Sequence, residues 1–510
     1  MKPIAAELPF SFQSLGMAAG LKAAAARSPG KIAYTQGDRT RTYAQLVERV
    51  DRVTHALLGG CGLAAGRHIA IIAKNSIEYM EIVFGAAQAG LPIATINPRL
   101  AVPELVAICD DAGAEILFAD ADSAAALAGS RYATVRKIVT IGPEYEALLA
   151  QAKPATDIAP VPEWGVFTIP YTSGTTGKPK GVLVSHRSRA LTLFGMAAEY
   201  GCFGPDDRFL AIAPMCHGAG MIFSLAPVFF GGHCEVMEKF EPDAVFRRLR
   251  QGAMTGFFGV PTHFHAMMSL EQGILGRERP QHLRTVISNA AALPQTMKEK
   301  LVAYFGEGLL HETYGSTEAG IVTNLRPPDQ LRKQQCVGQP FPATRVELRR
   351  DDGSLCATDE VGELFSSSPY LFNGYWRKPE ATAEAWKDGW VTVGDLARRD
   401  ADGHYYIVDR KKDMVISGGV NLYPREIEEV LLRHPAIAEV AIVGVPDDKW
   451  GERLKAFVVK RAGAELTAAG VTAFCEGRIS AMKTPKDVAF IDAIPRNANG
   501  KVLKTSLRTL

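Results

Sequence analysis

The chain has 510 residues, more than a single hydrophobic core usually serves, so two or more domains are expected. Its hydrophobic fraction of 47%, charged fraction of 22% and net charge of +2 fit a globular protein and argue against a nucleic-acid partner. No run reaches the roughly 18 apolar residues that a membrane-spanning helix needs, and the N-terminal stretch lacks the apolar core of a signal peptide. The eight cysteines are scattered without a C-x-x-C pair, against both a disulfide framework and a zinc site, so a cytoplasmic location is expected.

Taken in chain order, the elements alternate. "RHIAIIA" (67–73) reads as a buried strand, "SIEYMEIVFGAAQAG" (76–90) as a helix that ends at glycine, and "LPIATIN" (91–97) as a strand. "EILFAD" (115–120), "KIVTIG" (137–142) and "RFLAIAP" (208–214) are further buried-strand candidates, several of them separated by helix-like stretches. In "PTHFH" (261–265) the histidines His263 and His265 alternate like strand positions, and no chemistry is assigned to them. This order implies an α/β protein with a large N-terminal domain of largely parallel sheet and flanking helices.

After residue 350 the character changes. "DDGSLCATDEVGELFSSS" (351–368) reads as β structure with a D-G turn, and "DGHYYIVDR" (402–410) as another turn and strand. A compact α+β unit follows. "PREIEEVLLRH" (424–434) is a helix with Pro424 at its start, Pro435 as its stop, and Ile427, Val430 and Leu431 on one face; "IAEVAIVGVP" (437–446), "LKAFVVK" (454–460) and "DVAFIDAIP" (487–495) are strand-like. A boundary between residues 409 and 410 separates an N-terminal domain, 1–409, from a small C-terminal one, 410–510.

"YTSGTTGKPKG" (171–181) carries three glycines, five hydroxyl side chains and two lysines in eleven residues, and nothing in it can fill a core. Its backbone N–H groups and the hydroxyls of Thr172, Ser173, Thr175 and Thr176 can donate to phosphate oxygens, while Gly174 and Gly177 let the backbone approach and Lys178 adds charge. It is not a Walker A loop: only two residues separate Gly174 from Gly177, and Pro179 follows Lys178, which disfavours a helix starting at that lysine. An anion is therefore expected to sit in a loop without a helix N-terminus behind it.

This stretch resembles the signature of the adenylate-forming superfamily, which includes acyl-CoA synthetases, firefly luciferase and the adenylation domains of peptide synthetases. The resemblance covers essentially the whole chain, because "APMCHGAG" (213–220), "SNAAALP" (288–294), "TYGSTEAG" (313–320), "VGDLARRDADGHYYIVDRKKDMVISGGVNLYPREIE" (393–428) and "PRNANGKVLK" (495–504) follow in the family's order. It implies a two-step reaction. A carboxylate attacks the α-phosphate of ATP and expels pyrophosphate; a thiol, usually that of coenzyme A, then takes the acyl group and releases AMP.

The resemblance also implies roles. Residues 171–181 would wrap the β- and γ-phosphates. Glu318, with Thr175, would hold Mg²⁺, a hard cation suited to oxygen ligands. Thr317 would contact the α-phosphate, Tyr314 and Gly315 would lie beside the adenine, and Asn289, Ala290 and Ala291 would form the adenine wall, with Asn289 standing where the family usually has glycine. Asp395 would accept from both ribose hydroxyls, helped by Arg410. Lys501 would be the catalytic lysine, bridging the attacking carboxylate and the α-phosphate; two unit negative charges 4 Å apart repel by about 4 kcal/mol near a protein surface. Lys412 matches the hinge of a mobile C-terminal domain, whose rotation would replace Lys501 by Ser417, Gly418 and Gly419 as the lining of a thiol tunnel.

His217 is the expected gate beside the acyl pocket, which Gly218, Ala219, Gly315 and Phe258 would line, with Phe223 and Phe257 as further walls. The segments 211–232, 256–262 and 286–293 contain no Asp, Glu, Lys or Arg. An amino-acid substrate needs a carboxylate for its ammonium group, so an apolar or aromatic monocarboxylic acid is expected: fatty, branched, benzoate-type and cinnamate-type acids all fit. The leading reading is an ATP-dependent acid–CoA ligase, as a monomer or a homodimer. The alternatives are an adenylate former that loads a carrier protein and a non-catalytic nucleotide-binding regulator.

Overall fold

The computed structural model describes residues 14–153, 158–173, 179–276, 279–496 and 502–510. The chain divides into two compact units. The larger holds the residues up to Gln334 together with Pro340–Arg345 and Ser367–Val391; the smaller holds Gln335–Gln339, Val346–Ser366 and Thr392–Leu510. Among the described residues no helix is long and apolar enough to cross a membrane.

Two sheets organise the larger unit. In the first, the strands Ile32–Gln36, His233–Val236, Arg208–Ala211, Gly256–Gly259, Thr285–Ser288 and Leu310–Ser316 lie side by side in parallel. Arg39–Thr42 pairs antiparallel with Ile32–Gln36, and Gly320–Leu325 with Leu310–Ser316. In the second, Lys137–Thr140, Ala114–Ala119, His68–Ile72, Ile93–Ile96 and Val166–Thr168 are parallel, and Pro179–Ser185 closes on Val166–Thr168 in the opposite sense. His68–Ile72 is buried along its whole length, which is why it reads as an unbroken apolar run and not as an alternation.

The helix Ile77–Ala89 is buried all round. Ser76 caps it by accepting the Tyr79 N–H at 3.0 Å, and Gly90 stops it in the left-handed region at φ +66°. Its buried carboxylates are neutralised by arginines from outside the helix. Glu81 takes Arg41, Arg49 and the Tyr145 hydroxyl, and Glu78 takes Arg39.

The strand expected for "PTHFH" is a helix, Pro261–Met268. Pro261 sits in its first turn, where a fixed φ favours helix and no N–H is missed, and two alternating histidines are too short a pattern to outweigh that. His263 Nδ1 accepts from the Val260 N–H at 3.4 Å, and the ring stacks on Phe240.

In the smaller unit, Gly362–Ser367, Asp395–Arg399 and Tyr405–Arg410 form an antiparallel ladder. Beyond it, Val415–Ser417, Val420–Leu422, Ile437–Asp447, Gly451–Lys460 and Asp487–Phe490 build a second sheet. The helices Pro424–Leu431 and Ala468–Cys475 share one core with it, burying Ile427, Leu431, Val471 and Cys475.

Burial pushes the imidazoles of His186, His217, His233, His263 and His311 down to about 4, so all five are neutral at pH 7. The unfolded chain binds these protons near pH 6.5 and the folded chain only near 4. Between those values the unfolded state holds more protons, so stability falls as pH falls through that window. The melting temperature is expected to be nearly level from pH 8 to 7 and to drop progressively from pH 6.5 to 4.5; a flat profile across that range would contradict the burial of these rings.

Candidate active site

The Gly/Ser/Thr stretch is carried by a β-hairpin of the larger unit. Tyr171–Ser173 pairs antiparallel with Pro179–Ser185, in the register Tyr171 to Gly181, Thr172 to Lys180 and Ser173 to Pro179. A strand that starts at Pro179 and contains Lys180, not a helix, therefore follows the loop, consistent with Pro179 disfavouring helix at the residue before it. Gly174, Thr175, Thr176, Gly177 and Lys178 lie outside the described residues. The arms are anchored from two directions. The Tyr171 hydroxyl donates to Asp111 Oδ2 at 2.7 Å. Gly374–Tyr375 adds a strand against Val182 and Leu183, and the Trp376 N–H donates to the Gly181 carbonyl at 2.8 Å.

"TYGSTEAG" forms the end of a second hairpin, where Leu310–Ser316 turns into Gly320–Leu325. The turn is so tight that a Cβ on Gly315 would stand 2.1 Å from the Gly320 carbonyl oxygen, so no other residue fits there. Tyr314, Gly315 and Thr317 are half-buried at this end. Glu318 is only 7% exposed. The one hydrogen-bond donor to its carboxylate among the described residues is the Tyr375 hydroxyl, 2.8 Å from Oε1, and no described Lys, Arg or His forms an ion pair with it. On the other side of the same phenol, Lys180 Nζ lies 5.1 Å from the ring centroid. Tyr375 thus joins the two motifs, and sequence reasoning missed it.

The loop of Asn289, Ala290 and Ala291 leaves the strand Thr285–Ser288. Ala290 is left-handed, at φ +76°, and the Asn289 side-chain oxygen accepts its N–H. One residue holds both ends of the loop. Glu312 lies in register beside Ser288, and its carboxylate accepts the Leu293 N–H at 2.9 Å. Lys298, buried in the following helix Gln295–Phe305, neutralises that carboxylate.

His217 precedes the helix Gly218–Phe229, and its imidazole is neutral because burial, then the nearby Arg99 charge, pushes its pKa down to about 4. A Cβ on Gly218 would meet nothing within 4 Å, so there is open space beside the histidine; Ala219 is half-buried next to it. Phe223 and Phe258 stack with centroids 4.3 Å apart. Phe257 does not join them. As the neighbour of Phe258 on a strand it points to the opposite face, where it packs with Phe264 and Phe305 in a separate core.

In the smaller unit Asp395 and Arg410 are direct cross-strand partners, joined by Arg410 Nε to Asp395 Oδ1 at 3.2 Å, and Asp395 is buried. Lys412 follows in a turn, and burial lowers its pKa. Ser417 ends a strand, and Gly418 and Gly419 make the hairpin turn after it in the left-handed region, at φ +58° and +80°. Lys501 lies outside the described residues, as do Asn499 and Gly500. Lys504, three positions on, is described. Its ammonium is buried and pairs with Glu428 Oε1 at 2.9 Å, fixing the tail to the helix Pro424–Leu431. The sequence offered both lysines of "GKVLK", and only burial distinguishes the second as an anchor.

The AMP-binding enzyme family matches residues 21–376, and the AMP-binding enzyme C-terminal domain matches 426–501. This chain belongs to the AMP-binding enzyme family. Among its relatives, the 2-succinylbenzoate–CoA ligase of Geobacillus kaustophilus is 34% identical over 96% of this chain and 97% of that protein. A feruloyl-CoA synthase of Amycolatopsis is 34% identical over 94% and 96%. The crystal structure of ATP-bound MatB from Rhodopseudomonas palustris superposes with a TM-score of 0.88 at 30% identity, covering 98% of this chain and 99% of that one. The resemblance drawn from the motifs is thus borne out, as is the mixed α/β architecture that this AMP-binding enzyme shares with its structural relatives.

Replacing Lys298 by Met strands the Glu312 carboxylate in the interior and is expected to cost about 3–5 kcal/mol in denaturant unfolding. The double variant Lys298→Met, Glu312→Gln is expected to recover much of that loss. A single variant as stable as wild type would contradict the buried pair.

Proposed function

We propose that the protein is an AMP-forming acid–CoA ligase that activates an apolar or aromatic monocarboxylic acid as its acyl-adenylate and then passes the acyl group to coenzyme A. The family and its CoA-ligase relatives support the reaction class. One observation carries the chemistry: Glu318 is a buried carboxylate beside the glycine- and threonine-rich hairpin, without a cationic partner among the described residues. Buried charges are paired or coordinate metals, and the oxygen donor fits Mg²⁺. Glu318 would hold that ion, with Thr175 as the expected second contact; when bound, Mg²⁺ supplies positive charge at the phosphate oxygens.

This chain's own groups do the rest. Thr172, Ser173 and the glycine-rich residues 174–178 bind the outer phosphates. The loop Asn289–Ala291 and Tyr314 bracket the adenine, and Gly315 keeps the backbone close enough for ligand to pass. Asp395 accepts from the ribose hydroxyls and Arg410 steadies it. Thr317 meets the α-phosphate, and Lys501 neutralises the incoming carboxylate against it. Donors fixed in place before charge develops are the main source of rate in such a site. Residues 410–510 act as the mobile domain, with Lys412 as its hinge. After pyrophosphate leaves, Ser417, Gly418 and Gly419 line the path of the thiol, where absent side chains leave room for its arm.

The acid lies against His217, which is neutral and does not add a charge to the pocket. Open space at Gly218 and the stacked Phe223–Phe258 pair suit an apolar chain or ring, and the segments 211–232, 256–262 and 286–293 offer no charged side chain.

A panel of carboxylic acids assayed for pyrophosphate release, then for AMP release with CoA, tests the reading. Turnover of apolar or aromatic acids that requires CoA is the expected result; no turnover with CoA for any acid would overturn it. Lys501→Ala is expected to abolish acid-dependent ATP–pyrophosphate exchange while ATP binding, followed by calorimetry, changes little. Exchange at the wild-type rate would remove the lysine from the mechanism.

A further inference from the structure

We propose that Tyr375 is a positioning residue that fixes the Glu318 carboxylate with its hydroxyl and the Lys180 ammonium with its ring, so that the cation ligand and the phosphate hairpin are set by one side chain. This rests on the reading of Glu318 as the cation's ligand.

Five contacts define the arrangement. Tyr375 Oη donates to Glu318 Oε1 at 2.8 Å. Lys180 Nζ stands 5.1 Å from the ring centroid, at cation–π range. The backbone of Tyr375 pairs with Val182, two residues along the same hairpin arm. Its N–H donates to Thr382 Oγ1 at 2.9 Å, and Phe372 packs its ring edge-to-face at 5.0 Å. The ring is therefore held by its backbone, by a neighbouring aromatic and by both charged groups.

The consequences follow from geometry. A carboxylate with one oxygen occupied by a fixed hydroxyl cannot turn freely, so its other oxygen keeps one direction in which to meet a cation. The ring face adds a second function. Lys180 is the second residue of the strand that resumes after residues 174–178, and an ammonium held over an aromatic face sets where that arm begins. A change at Tyr375 should therefore reach both the cation and the nucleotide phosphates.

The test uses the full-length protein. Tyr375→Phe keeps the ring and removes the hydroxyl. The Mg²⁺ concentration for half-maximal ATP–pyrophosphate exchange is expected to rise roughly tenfold or more, the loss of a hydrogen bond to a charged group, with KM for CoA unchanged. The same variant should lose most of the extra thermal stabilisation that Mg²⁺ gives over metal-free conditions with a non-hydrolysable ATP analogue. Lys180→Gln should raise KM for ATP several-fold without moving the Mg²⁺ midpoint, and Tyr375→Leu should show both effects. A Tyr375→Phe enzyme with wild-type Mg²⁺ dependence in both assays would overturn the proposal. Glu318→Gln separates the two readings. If it too keeps wild-type Mg²⁺ dependence, the assignment of Glu318 fails; if it loses that dependence while Tyr375→Phe does not, only the positioning role fails.

Discussion

A carboxylate taken out of water needs a counter-charge, and among the described residues Glu318 has one phenolic hydroxyl in its place. Two of the protein's other buried acids have cationic partners: Glu81 receives two arginines and Glu312 a buried lysine. Asp409 is held by two backbone N–H groups, of Arg410 and Arg425. Glu318 has no cationic partner among the described residues, at the point where a glycine- and threonine-rich hairpin also lies, and a carboxylate so placed is expected to cost stability in the free protein. Such a cost is expected where a site is preorganised for a charged ligand.

Around it the fold supplies rigidity by holding short loops at both ends. Glu312 uses its backbone register at Ser288 and its side chain at Leu293 to span the loop that contains Asn289, Ala290 and Ala291. Gly315 permits a turn no side chain would allow. In the smaller unit the Asp395–Arg410 pair is a cross-strand contact of two adjacent strands, so its geometry is set by the ladder itself. In each case the polar group that would meet ligand stands on a strand end or a tight turn.

Much of this was legible in the sequence, for local reasons. The buried strands around Ile69, Ile93 and Leu117 announce themselves by continuous apolar runs, the helix Ile77–Ala89 by its cap and terminal glycine, and the phosphate hairpin by a composition that cannot fill a core. What escaped was set by distance along the chain. Tyr375 meets Glu318 across 57 residues, and nothing local marks a tyrosine in "NGYWRK" as its partner. Lys298, Glu312 and Lys504 look like ordinary surface charges until burial pairs them. Phe257 and Phe258 show the converse: adjacent aromatics looked like two walls of one pocket, and the strand's alternation sends them to different cores. His263 and His265 looked like strand because the two-residue alternation was read without the proline before it.

The most direct test of the uncompensated carboxylate is the melting temperature of Glu318→Gln against wild type, with and without Mg²⁺ and a non-hydrolysable ATP analogue. The account predicts a variant that is more stable than wild type when free, because a buried carboxylate with no cationic partner among the described residues is gone, and that gains nothing from Mg²⁺ beyond what the nucleotide gives alone. A variant less stable when free, with the full Mg²⁺ increment retained, would contradict it.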